Sequence, residues 1–195
     1  MAASSRWTRI QHRRGRQSLP GTDPLRAPAG GDGAIEAYGP GGTAILVELD
    51  AGAGQGTADA VRRACARFHG VPGARGAVSY LFNRVGLLAY PAPAADQTPM
   101  DQAPIQARAL AAGAEDVVTA PDGSTEVLTA PGDLPAVRAA LEAAGLVPAV
   151  AGVVQRSEAV VELGPAEAEE LKALLDALAE VPGVRDVWSN GSVAS

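Results

Sequence analysis

The thirteen residues from Ser4 to Arg16, SSRWTRIQHRRGR, concentrate the side chains best suited to gripping a polyanion. Arg6, Arg9, Arg13, Arg14 and Arg16 carry guanidinium groups that pair with phosphate oxygens in a two-pronged geometry, and Trp7 and His12 offer flat rings on which an unpaired base can stack. A second stretch, Tyr38-Gly39-Pro40-Gly41-Gly42, raises the question of a phosphate cradle. A nucleotide-hydrolysis loop needs Gly-Lys-Ser/Thr at its end and a helix after it, and a dinucleotide fingerprint needs a strand before and a helix after. Here Thr43 leads into Ala-Ile-Leu-Val, a strand, so both readings fail on context. The stretch is expected to be a strand-launching turn with glycines at positive φ, and its exposed backbone is a candidate RNA contact.

No other combination of residues supports catalysis. Glu115 and Asp116 are adjacent, so on a strand they point to opposite faces and cannot form an acid–base pair. Cys65 falls on the apolar side of a helix, as a small hydrophobe does. Ser79 and Ser124 lack a His/Asp context, and His69 suits the C-terminal end of its helix. One cysteine and two histidines cannot build a zinc site. No enzyme, cofactor or metal is expected.

The charge distribution supports the emphasis on the arm. The 195 residues carry 16 basic and 22 acidic side chains, a net of −6, and all the bases but Lys172 are arginine. Residues 1–26 alone hold six arginines against Asp23, a net of +5, which leaves −11 for the rest. A basic arm on an acidic body binds nucleic acid through phosphates, in a salt-dependent and largely sequence-blind way. A hydrophobic content of 47% is enough for a core, but aromatics are only 4%, so Ala, Val and Leu must fill it. No apolar run reaches the roughly 18 residues of a membrane helix, so no membrane insertion is expected.

The elements that must position these residues follow from periodicity. Residues 15–34, rich in Pro and Gly, read as linker. Thr43–Leu49 is a buried strand. A helix from about Thr57 to Phe68 places Val61, Ala64, Cys65 and Phe68 on one face and Arg62, Arg63 and Arg67 on the other. AVSYLF (77–82) and VGLLAY (85–90) suggest a hairpin around Asn83-Arg84. A helix capped by Asp101, a hairpin at Pro121-Asp122-Gly123, a helix capped by Asp133 and an edge strand over LVPAVAGVVQ (146–155), interrupted by Pro148, follow. The last helix begins at Gly164-Pro165, carries Leu171, Leu174, Leu175 and Leu178, and leads to the strand VRDVW. Taking out the middle block leaves βαββ plus αβ, the ferredoxin-like order. The expected fold class is α+β, with two ferredoxin-like-type domains, one inserted in the other, behind a basic arm. The expected boundaries are 1–34 for the arm and linker, 35–92 plus 157–195 for the outer domain and 93–156 for the inserted one.

Several of these blocks, taken in order, are identified as those of a known family. Ser5-Arg6-Trp7 with His12-Arg13-Arg14 resembles the "SKW…HRK" start of the YebC/PmpR family, and EAYGPGGTA (36–44) resembles its "EGYGPGGTA" hallmark. GAVSYLF with Gly86, AGAEDVV (112–118), VRAALEAAGL (137–146) and LLDALAEVPGVRDVWSN (174–190) match further blocks. The resemblance implies a non-enzymatic protein with a helical N-terminal domain and two α+β domains. It also implies regulators of translation that work at the ribosome, with rRNA or mRNA as partner, relieving stalling or, in the mitochondrial branch, activating synthesis of cytochrome c oxidase subunit I. A DNA-binding transcriptional regulator of the YebC type is the alternative. This chain departs from the family where several helices would separate the "HRK" motif from the glycine turn, since only residues 15–34 lie there. The length of the Ala89–Ala112 segment is similar to the animal mitochondrial form, so a mitochondrial location is expected, with the bacterial cytoplasm as the alternative.

Overall fold

The computed structural model describes residues 33–92 and 102–193. The expected Asp101 cap and the arm, Arg6 to Arg16, lie outside them. The chain divides into two compact units, the inner one Arg84–Gln155 and the outer one formed by the segments on either side of it. Both are α+β, and one is inserted in the other.

The inner unit is built from β4 (Phe82–Tyr90), α2 (Gln102–Ala111), β5 (Asp116–Thr119), β6 (Thr125–Thr129), α3 (Leu134–Ala143) and β7 (Val150–Ser157). Its sheet runs β5-β6-β4-β7, which is the split βαβ arrangement. β4 and β6 pair antiparallel from Gly86↔Thr129 to Tyr90↔Thr125. The expected hairpin at Asn83-Arg84 is therefore not formed. Residues 79–81 make a short 3-10 turn, and 82–90 run on as one strand that pairs inside the inner unit. The crossing between units consequently falls at Arg84 rather than after residue 92, and the ferredoxin-like order belongs, complete, to the inner unit. The Pro121-Asp122-Gly123 hairpin does form: Gly123 has φ 87° and the Ser124 amide donates to Asp122 Oδ1 at 2.9 Å. Ile105 and Ala109 of α2, with Leu134, Val137 and Leu141 of α3, pack on Leu88, Tyr90 and Val127. The spacings i, i+4 and i, i+3, i+7 are what put each set on one helical face. Asp133 precedes α3, but its side chain makes no capping bond.

The outer unit begins with β1 (Ala34–Tyr38) and β2 (Ala44–Leu49), an antiparallel hairpin registered from Ala34↔Glu48 to Tyr38↔Ala44. The glycine turn thus launches β2, as expected, and also closes a hairpin with the strand before it. Next come α1 (Gln55–Arg67) and the two-residue edge strand β3 (Val71–Pro72). After the inner unit come β8 (Val161–Leu163), α4 (Pro165–Ala179), β9 (Val184–Ser189) and β10 (Gly191–Val193). The sheet order is β3-β1-β2-β9, with β8 and β10 forming a separate parallel pair. α1 and α4 cover one face: Val61 and Cys65 meet Leu171, Leu174, Leu175 and Leu178 over Ala37, Ile45 and Val47. All four leucines are fully buried, so truncating any one would cost about 2–5 kcal/mol. α1 starts two residues earlier than Thr57, whose hydroxyl donates instead to the Pro182 carbonyl at 3.0 Å.

Candidate nucleic-acid interface

The glycine turn is a tightly bonded corner of the outer unit. The Gly39 amide donates to the Thr43 carbonyl at 2.8 Å, the Gly42 amide to the Gly39 carbonyl at 3.1 Å, and the Thr43 hydroxyl to the Pro40 carbonyl at 3.0 Å. Pro40 has no amide hydrogen. An anion nest needs several convergent free N–H groups, and this turn spends its own on itself. Its glycines answer to conformation and space. Gly41 and Gly42 sit at φ 64° and 75°, and a Cβ on Gly41 would run into the Leu163 side chain. Gly41 and Gly42 are exposed, Pro40 is buried, and Tyr38 is partly exposed.

Glu36, two residues before this turn, is buried, and it organises the chain beyond β3. Its carboxylate accepts the amides of Gly76, Val78 and Ser79 at 2.7, 2.6 and 2.8 Å. Its carbonyl takes the Gly73 amide at 2.8 Å, and the Tyr38 hydroxyl donates to the Ala77 carbonyl at 2.9 Å. Burial alone would raise the Glu36 pKa, but the amides of Val78, Gly76 and Ser79 and the Ser79 hydroxyl outweigh it and hold the group below its ordinary 4.5. A charged carboxylate thus pins residues 73–79 to β1. The same loop carries the exposed Arg75 and, one residue on, the exposed Tyr80.

Cations gather on neighbouring sequence. Residues 60–92 contain five arginines and no carboxylate, whereas 102–193 hold fourteen acids and five bases. Arg62, Arg63 and Arg67 all emerge on the exposed side of α1, as their spacing predicts. Arg62 pairs with Asp59 at 2.7 Å, and Arg67 lies over the Phe68 ring at 5.4 Å. His69, at φ 55°, sits 2.6 Å from Glu170 of α4. The acid-free run is a signal that a window-by-window charge count would expose. The Glu36 clamp has no such local signal, because its partners lie forty residues away.

The remaining candidates are structural. Cys65 is fully buried, and burial pushes its thiol pKa up, opposite to what a nucleophile needs. Ser124 donates to Asp122 at 2.7 Å, the Ser79 amide serves the Glu36 clamp, and the Asp116 carboxylate accepts the amide of Val117. Among the described residues no group of His, Cys, Asp and Glu could hold a metal ion, and no helix is long and apolar enough to cross a membrane.

The described residues form two α+β units, one threaded into the other, with a cationic stretch of sequence in α1 and the loop that Glu36 holds. The comparisons give the family. Residues 32–191 match the family described as TACO1/YebC second and third domain, and the chain belongs to that family. It is 40% identical over 158 residues to a probable transcriptional regulatory protein of Paracidovorax citrulli, covering 81% of this chain and 64% of that protein. With probable transcriptional regulatory protein MCA1220 of Methylococcus capsulatus it shares 33% identity across 100% of this chain and 97% of the relative. That alignment, 246 positions, is longer than this chain, so the relative carries residues this chain lacks. A conserved hypothetical protein of Aquifex aeolicus, Aq1575, has a similar structure, with a TM-score of 0.68 and 28% identity over 86% of this chain and 69% of that one. These relatives are bacterial, which favours the bacterial alternative over the mitochondrial expectation.

Proposed function

We propose that the protein is a non-catalytic regulator of gene expression that works by holding nucleic acid. The carrying observation is the run from Ala60 of α1 to the Glu36-pinned loop, which holds Arg62, Arg63, Arg67 and Arg75 with no carboxylate in an otherwise acidic body. Arg6, Trp7, Arg9, His12, Arg13, Arg14 and Arg16 extend that grip, and the self-bonded hairpin turn at Gly39–Gly42 takes no part in holding phosphate. The relatives' names, probable transcriptional regulatory protein, favour duplex DNA as the partner.

Translation is the second reading, at the ribosome or on mRNA, and one observation favours it. α1 presents arginines, while its only amide side chain, Gln55, is bonded to Asp59 at 3.0 Å. Arginine grips phosphates on any sequence and can also read guanine edges, but the helix offers no free amide side chain of the kind that reads adenine. With bacterial relatives, this reading takes the form of a ribosome-associated factor relieving stalls.

The deciding experiment selects from a random duplex pool with the full chain and, in parallel, sediments it with ribosomes across a salt series. An enriched duplex motif establishes the transcriptional reading. Salt-sensitive co-sedimentation without an enriched motif establishes the translational one. Failure to bind duplex DNA, RNA or ribosomes at low salt refutes the proposal, since phosphate contacts are strongest there.

A further inference from the structure

Tyr80 is the most exposed large hydrophobic side chain among the described residues, at 74% of its full area. It is not on a loose loop. Three amides to its N-terminal side are fixed by the Glu36 carboxylate, and the Leu81 amide donates to the Val78 carbonyl at 2.9 Å. Val78 and Phe82 on either side are buried, at 0% and 8% exposure. With Tyr80 in the 3-10 turn between these anchors, its ring is held outward by backbone whose alternatives are closed off. Such pre-organisation lowers the ordering cost of binding.

Charge selects the occupant. Between Asp59 and the end of the described stretch at residue 92 there is no carboxylate, and Arg75 is exposed on the same loop. Two other exposed large apolar side chains belong to the strands beside this loop, Val71 of β3 and Tyr38 of β1, at 60% and 39%. They face each other as partners across the β1–β3 pair, a two-residue apolar spot rather than the broad apolar core that a protein interface requires. A rigid exposed aromatic on a loop that also carries the exposed Arg75 matches the stacking platforms of single-strand binders, where the ring takes a base face and cations take the backbone.

We infer that Tyr80 stacks on an unpaired nucleobase of a bound single strand. This deepens the nucleic-acid reading and rests on it. In a duplex the base faces are already occupied by their neighbours, so the ring contributes to single-strand binding only.

The test measures fluorescence anisotropy of the full chain with labelled oligouridine, oligothymidine and a duplex of equal length. Tyr80→Ala should weaken single-strand binding about tenfold and leave the duplex unchanged, while Tyr80→Phe, which keeps the ring, stays within about twofold of the parent. The exposed position predicts an unchanged unfolding midpoint for both variants. The ratio of the RNA and DNA losses shows which strand the platform serves. Unchanged single-strand affinity in Tyr80→Ala, an equal loss on duplex, or a Phe variant as weak as the Ala variant overturns the inference. A parent chain that binds only duplex also overturns it, while leaving the regulator reading standing. A parent chain that binds none of the three probes overturns the inference, and it removes the regulator reading as well when ribosome sedimentation at low salt is also negative.

Discussion

Replacing Glu36 by alanine tests whether one buried carboxylate holds the loop that carries Tyr80. The substitution leaves the amides of Gly76, Val78 and Ser79 without their acceptor, at positions where Val78 is fully buried and Ser79 half-buried. Each buried amide stripped of its partner costs about 1–3 kcal/mol. Gly76 is exposed and can turn to water, so the expected loss is about 3 kcal/mol rather than three full penalties. Glu36→Gln keeps one acceptor oxygen but sets an NH2 group against an amide donor, so about half that loss is expected. Urea unfolding followed by Trp188 fluorescence, in a Trp7→Phe background, reads the outer unit directly because Trp188 lies in its sheet. The sign of the pH dependence is fixed. The folded-state pKa is depressed below 4.5, so the carboxylate's contribution is complete above that value and is lost as pH falls through the folded pKa. The gap between parent and Glu36→Gln should therefore hold steady from neutral pH down towards the ordinary 4.5 and close as pH falls through the lower folded-state pKa. A difference under about 0.5 kcal/mol for the alanine variant, the size of an ordinary surface substitution, would refute the clamp. So would a gap that ignores acid.

Three further expectations follow from close packing and burial. Gly42→Ala should cost about 1 kcal/mol, the left-handed backbone penalty alone, because the space around it is open. Gly41→Ala should cost about 2–4 kcal/mol, since its Cβ also overlaps Leu163, and equal costs by urea titration would contradict the turn geometry. Gly86→Ala would place a Cβ against Thr129 Oγ1 and 2.9 Å from Leu134 Cβ, so a loss of about 2 kcal/mol is expected. Hydrogen exchange should locate that loss in the inner unit, and uniform protection across its sheet would argue otherwise. Cys65 should resist thiol reagents until the outer unit unfolds, and labelling at the native rate of a free thiol would show that it is not buried.

Much of this architecture was legible along the chain. The leucine stripe of α4, the Val137–Leu141 face of α3, the arginine face of α1 and the Asp122-Gly123 hairpin are local patterns, written within a few residues by side-chain polarity and turn chemistry. The glycine stretch 39–42 was also legible as a turn rather than a nucleotide loop, because a strand and not a helix follows it.

Three features were decided only in the tertiary structure. VGLLAY suits a strand in either unit, and its assignment to the inner sheet comes from pairing with residues 125–129, far along the chain. Glu36 reads as an ordinary strand carboxylate until the fold brings three amides from residues 76–79 onto it. Thr57 reads as a helix cap, but its hydroxyl answers the Pro182 carbonyl, 125 residues on. Local periodicity is set by neighbours a few positions apart. Strand partners and the satisfaction of buried polar groups depend on which distant segments meet, and that is settled only when the whole core closes.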